Sequence, residues 1–173
     1  MKKSSQQILK FKASFLLLLL PLFLVACTAS INELKTKRDA GEATFVAYDH
    51  YWETVYAAIT YVWHHSENSC IADHVSVRTT DFAIEEKAIY AKTSHNGSTS
   101  IGVFFEPLNN NWTEVAYVKA GFIKDYLHQC IIDGTIEEVS YLRKHGEEAY
   151  LEYTHKLFVQ RLTAEQIKFT LEP

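Results

Sequence analysis

Between residues 52 and 63 the apolar positions are Trp52, Val55, Tyr56, Ile59, Val62 and Trp63. Steps of three and four place them on one face of a helix. Asp49, just upstream, offers a side-chain oxygen to the free amides of a first turn and is the expected N-cap. His64 and His65 suit the exposed carbonyls at the other end. Around this helix the period changes to two. Ala43 to Tyr48 reads as a strand, as do Val75 to Arg78, Ile84 to Lys92, Thr99 to Glu106 and Trp112 to Phe122. His95-Asn96-Gly97-Ser98 and Pro107 to Asn111 are the turns between the later ones. Closely spaced strands with short turns predict an antiparallel meander. The chain then returns to helical spacing. Asp133 is the expected cap of a helix through Ile136, Val139 and Leu142, and Gly146 breaks it. A second stretch runs through Tyr150, Tyr153, Leu157 and Phe158, and Ala164 to Leu171 reads as a short strand or loose tail. The expected class is α+β: an amphipathic helix packed on a three- to four-stranded antiparallel meander in two layers, followed by a C-terminal helix.

The amino terminus has a different pattern. Lys2, Lys3, Lys10 and Lys12 precede an apolar run from Phe15 to Ala26, and no acidic residue interrupts them. A charged segment followed by a short apolar one is the layout of a secretory signal. A membrane-crossing helix needs roughly 20 apolar residues to cover the ~30 Å hydrocarbon core, and this run is shorter and contains Pro21. Leu24-Val25-Ala26-Cys27 resembles the bacterial lipobox, in which an apolar and a small residue precede an obligatory cysteine. The resemblance covers the first 27 residues. It implies that Leu24 and Ala26 are read by the signal peptidase and that the chain is cut before Cys27. It also implies that the Cys27 sulfur carries diacylglycerol and that the new amino terminus is acylated, with palmitate-type chains. Each buried methylene adds ~0.8 kcal/mol, so two or three chains anchor stably. Thr28 stands where an Asp would retain a lipoprotein at the inner membrane. In a Gram-negative host the resemblance therefore implies the outer membrane, facing the periplasm.

This reading divides the chain into a cleaved signal (1–26), a polar lipidated tether (27–42) containing a short helix from Ile31 to Asp39, and one α+β domain (43–173). Cleavage removes four lysines and no acid, so the net charge moves from −4 to −8. That balance argues against nucleic acid as a partner. Abundant Tyr and Phe with three prolines suit a folded domain. The two remaining cysteines, Cys70 and Cys130, are first read as a disulfide in an oxidising compartment. Two unpaired buried thiols are the other arrangement. Over residues 44–122 the outline resembles small periplasmic lipoprotein domains of uncharacterised activity, in which a helix precedes a three-stranded meander.

No motif in the sequence concentrates chemistry. His64 and His65 are adjacent and diverge by ~100° on a helix, and the His128-Gln129-Cys130 stretch supplies too few ligands for zinc. The histidines are expected on the solvated surface, with no metal and no cofactor. The carboxylate pairs Glu85-Glu86, Glu137-Glu138 and Glu147-Glu148 read as solvated faces. No serine sits in a Gly-x-Ser-x-Gly elbow, and no phosphate-binding glycine loop occurs. An enzyme would need distant groups to converge, for example His128 with His74 or Glu106. The expected role is non-enzymatic: a lipid-anchored periplasmic subunit or adaptor with an envelope-protein partner. Tyr51 and Tyr61 lie off the buried stripe; they read first as core edges with wet hydroxyls, and an interface patch is the second reading. The alternative is a small-ligand carrier or sensor with a pocket lined by Trp52, Tyr56 and Phe105.

Overall fold

The computed structural model describes residues 31–75, 80–92, 99–108, 111–121 and 125–171. The lipobox residues, most of the expected Val75 to Arg78 strand and the expected turn at His95 to Ser98 lie outside them. In chain order the described elements are α1 (Ile31–Asp39), β1 (Thr44–Tyr48), α2 (Trp52–His65), the single turn α3 (Ser69–Ala72), β2 (Asp81–Ala83), β3 (Ala88–Lys92), β4 (Thr99–Pro107), β5 (Thr113–Gly121), α4 (Asp125–His145) and α5 (Glu147–Leu171). The strands form one antiparallel sheet in the order β1-β5-β4-β3-β2. The class is the expected α+β, with five strands rather than three or four. The meander β2 to β5 is contiguous, and β1 crosses over through α2 to close the far edge against β5.

Strand alternation divides the side chains between the two faces. Ile89, Ile101, Val103, Phe105, Val115 and Tyr117 point to one face and merge there with Val55, Ile59 and Val62 of α2 and Ile131 and Val139 of α4. Burial at the core of β4 and β5 is nearly complete on both sides, because the opposite face is also covered. Ala88, Tyr90, Phe104, Ala116, Val118 and Ala120 there surround Leu34 of α1, which is 1% exposed. Small side chains let this short helix sit close. A Cβ at Gly102 would lie 2.9 Å from the Phe104 ring and 3.4 Å from Leu34 Cβ. Lys35 pairs with Glu86 at 2.8 Å, and the Arg38 guanidinium lies 4.6 Å from the Phe104 ring centre. Residues 31–39 are therefore part of the packed body and not a free tether, and three layers replace the two expected.

Local boundaries differ from expectation in three places. Asp49 does not cap α2. Tyr51 takes that position without a side-chain bond, while Asp49 pairs with Arg143 at 2.6 Å. Ile84 to Lys87 is a turn, with Lys87 at φ +48°, so the strand to Lys92 begins only at Ala88. The helix expected from Asp133 begins at Asp125, and Asp133 sits inside it accepting from Gln129 at 2.9 Å. Gly146 does separate the last two helices, at φ +84°, a backbone shape that glycine adopts without steric cost. Ala164 to Leu171 continues α5 as helix and is neither strand nor tail.

Candidate interaction surface

The helical layer is joined by buried polar bonds. Trp63 Nε1 donates to Thr135 Oγ1 at 3.0 Å, and Thr135 donates on to the Ile131 carbonyl at 2.7 Å. Glu138, 1% exposed, accepts from Ser66 Oγ at 2.8 Å and from the Tyr150 hydroxyl at 2.7 Å. This carboxylate links the end of α2, the middle of α4 and the start of α5. Burial pushes its pKa up, and Tyr150 and Ser66 partly offset that by donating to it. Glu138 thus corrects the expectation of a solvated face. The other carboxylate pairs are also partly engaged: Glu147 accepts from Tyr61 at 2.8 Å, and Glu86 from Tyr90 at 2.9 Å.

Cys70 on α3 and Cys130 on α4 lie at disulfide distance, with Cα atoms 5.9 Å apart. A bridge between cysteines 60 residues apart in sequence stabilises by roughly 4 kcal/mol in the chain-entropy model. The same α3 corner holds α5, because Asp73 accepts from Arg161 at 2.5 Å. His64 and His65 are exposed, as expected, and each has Nδ1 within hydrogen-bond distance of a carbonyl one turn back in its own helix. His128 corrects the surface expectation outright, being 2% exposed inside α4. Glu106 is exposed and shares its side of β4 with Phe104, facing α1, whereas α4 packs on the opposite side of the sheet. His128 and Glu106 are therefore not brought together. His74 is half-buried just beyond α3. Among the described residues, no three or more His, Cys, Asp or Glu side chains converge as a metal site.

The expected pocket residues form a packed joint. Trp52 meets Tyr56 edge-on at 6.1 Å, and Tyr56 meets Phe105 at 5.4 Å. Val55, Ile59 and Val62 beside them are wholly buried. Helix and sheet are in direct contact along this stripe.

Four of the exposed large apolar side chains lie instead on connections at one end of the sheet. The β4–β5 hairpin closes with the Leu108 amide donating to the Trp112 carbonyl at 2.8 Å. Asn111 in that turn holds φ +66°, which asparagine tolerates. Thr113, the first residue of β5, donates to the His50 carbonyl at 2.7 Å and so ties the hairpin to the β1–α2 connection. The β2–β3 turn joins the same end, where Lys87 accepts from the Phe105 amide and its ammonium lies 5.7 Å from the Trp52 ring centre. These three connections display Tyr51, Ile84, Leu108 and Trp112, each between 45% and 60% exposed. Of the two tyrosines considered for an interface, Tyr51 is in this group. Tyr61 is half-buried and spends its hydroxyl on Glu147. Arg143 stands beside the group, over the Tyr48 ring at 5.3 Å and against Asp49 and His50. The guanidinium and His50 hold the Asp49 carboxyl below its ordinary pKa.

The chain matches no protein-family model and no curated protein. Its functional reading rests on its own residues.

Proposed function

We propose that this protein is a lipid-anchored, non-enzymatic interaction subunit or adaptor of an envelope assembly, tethered through Cys27 to the outer membrane and facing the periplasm. The observation that carries the reading is the display of Tyr51, Ile84, Leu108 and Trp112 from three connections at one end of the sheet. Large apolar side chains so grouped serve as anchors for a protein partner. The lipobox residues Leu24, Ala26 and Cys27 support the anchor, and the cysteine pair at disulfide distance suits an oxidising compartment. Docking of α1 on the sheet adds a geometric consequence. Only residues 28–30 separate Cys27 from Ile31, a reach of at most ~14 Å for four extended steps. A lipidated Cys27 would hold the body next to the bilayer rather than on a long leash.

Crosslinking in intact cells, followed by purification and mass spectrometry of attached proteins, tests the reading. A reproducible partner set lost in Trp112→Ala and Tyr51→Ala variants supports it. An unchanged set in those variants, or no partner at all with the protein confirmed in the membrane fraction, overturns it.

A further inference from the structure

The two ends of the sheet hold different things. Tyr51, Ile84, Leu108 and Trp112 lie at the end where β4 finishes and β5 starts. The amino-terminal helix opens toward the other end. Its Arg38 guanidinium lies over Phe104 and borders a hollow lined by Glu106 and Glu114, a facing pair nearer the Leu108–Trp112 turn. One turn back in α1, Leu34 sits against Gly102 and is buried with Val118 and Ala120. Phe104 pairs with Ala116, Gly102 with Val118 and Ser100 with Ala120. From Arg38 back to Leu34 the helix therefore moves toward the Thr99–Gly121 end. Ile31 lies nearly one further turn on in that direction, and Cys27 precedes it by four residues.

Helix α4 measures the distance between the ends. It starts at Asp125, four residues after Gly121 of β5. Near its other end Arg143 pairs with Asp49, beside the His50 carbonyl that accepts from Thr113. From Asp125 to Arg143 is about 27 Å at ~1.5 Å per residue, and β4 covers about the same length at ~3.4 Å per residue. Ile31 is 40% exposed, and Tyr126 in the first turn of α4 is 69% exposed. An amphipathic ring of this kind suits a headgroup layer.

We infer that the anchored protein stands on the bilayer with its Thr99–Gly121 end and holds Tyr51, Ile84, Leu108 and Trp112 roughly 27 Å away from it. The protein partner of that apolar end is then met in the aqueous space and not in the membrane. The orientation rests on the lipid at Cys27 proposed above. A link of at most ~14 Å is too short to turn the body over, because the chain from Cys27 would have to run the length of the sheet. Resting on one side is opposed by the excess of acidic over basic residues beyond Cys27, which an anionic leaflet repels.

The full-length lipidated chain, with Cys70 and Cys130 left unreduced, is placed in vesicles of phosphatidylethanolamine and phosphatidylglycerol that carry a nitroxide quencher on the headgroup. A fluorophore is attached at Leu108→Cys or at Tyr126→Cys. Quenching at Tyr126 should be at least about threefold stronger than at Leu108, because ~27 Å separates the two ends. Equal quenching overturns the orientation. So does stronger quenching at Leu108, which would mean that the apolar end enters lipid. Trp112→Cys and Ile31→Cys replace the two label sites should either variant fail to fold. Flotation separates this result from the anchor itself. The parent should float with the vesicles and Cys27→Ser should not. If both float or neither does, the lipid anchor falls and the orientation with it; if only the parent floats, the quenching alone decides.

Discussion

Helices α2 and α5 are both rich in apolar residues but distribute them differently. In α2 they lie on one stripe, and Val55, Ile59 and Val62 are fully buried against the sheet. In α5 they are spread around the axis. Tyr150 is fully buried, while Leu151, Phe158, Val159 and Leu162 remain exposed on another side. The first pattern is what folding of one domain requires. The second exceeds that need, because a helix on the outside of a small body can bury only one side in it. Apolar surface beyond that side either remains wet or meets a partner.

The contrast can be broken at several points, which differ in expected effect. Cys70→Ser should remove roughly 4 kcal/mol of stability under oxidising conditions, measured by urea unfolding. An unchanged midpoint would mean that no bridge stabilises the α3–α4 corner to which Arg161 of α5 attaches. Ile59→Ala, in the α2 stripe, should cost about 3 kcal/mol, because it leaves a cavity between helix and sheet. A loss below about 1 kcal/mol would contradict the packing described for that stripe.

Glu138 joins the two helices, and its removal should fall next in size. Glu138→Ala leaves the Ser66 and Tyr150 hydroxyls buried without their acceptor, at a cost of about 2 kcal/mol. Its pH dependence has a definite sign. Burial raises the folded pKa above the ordinary value of 4.5, so across that interval the folded protein holds a proton that the unfolded chain has released. Stability from this group is greatest below the interval and falls as pH rises through it. Glu138→Gln should flatten that part of the stability-versus-pH curve, as read by thermal unfolding at a series of pH values. A curve parallel to that of the parent would show that Glu138 is not the titrating group. The smallest effect on stability belongs to the exposed stripe. Leu162→Ser should change the unfolding free energy by no more than about 0.5 kcal/mol. A loss comparable with that of Ile59→Ala would place the stripe in the core of the domain and not on its surface.

Much of the sheet was legible because alternation is local. Ile101, Val103 and Phe105 announce a strand whatever surrounds them, and the Pro107 to Asn111 turn stands where the hairpin closes. The first turns of α4 were not legible, because their inward positions include buried His128 and half-buried Cys130, whose partner Cys70 lies 60 residues away on α3. A polar residue at a core position hides the helical period until its surroundings are known. The first helix was missed as packing for a related reason. In its nine residues only Leu34 is fully buried, and nothing in such a polar segment marks the cradle of Ala88, Gly102, Ala116 and Ala120 that receives it. The apolar group at the end of the sheet was half visible. Tyr51 stood out as lying off the stripe, but Ile84, Leu108 and Trp112 reach it through separate turns.

The sequence by itself determined the α+β class, the α2 stripe, the hairpin closing near Pro107 and the break at Gly146. Each follows from interactions within a few residues, where side-chain period and backbone freedom act directly. Tertiary structure alone decided that β1 pairs with β5, that α1 covers the second face, that Cys70 meets Cys130 and that Glu138 is buried. Those outcomes depend on which distant surfaces fit together, and that fit is set by volume and hydrogen-bond partners supplied from elsewhere in the chain.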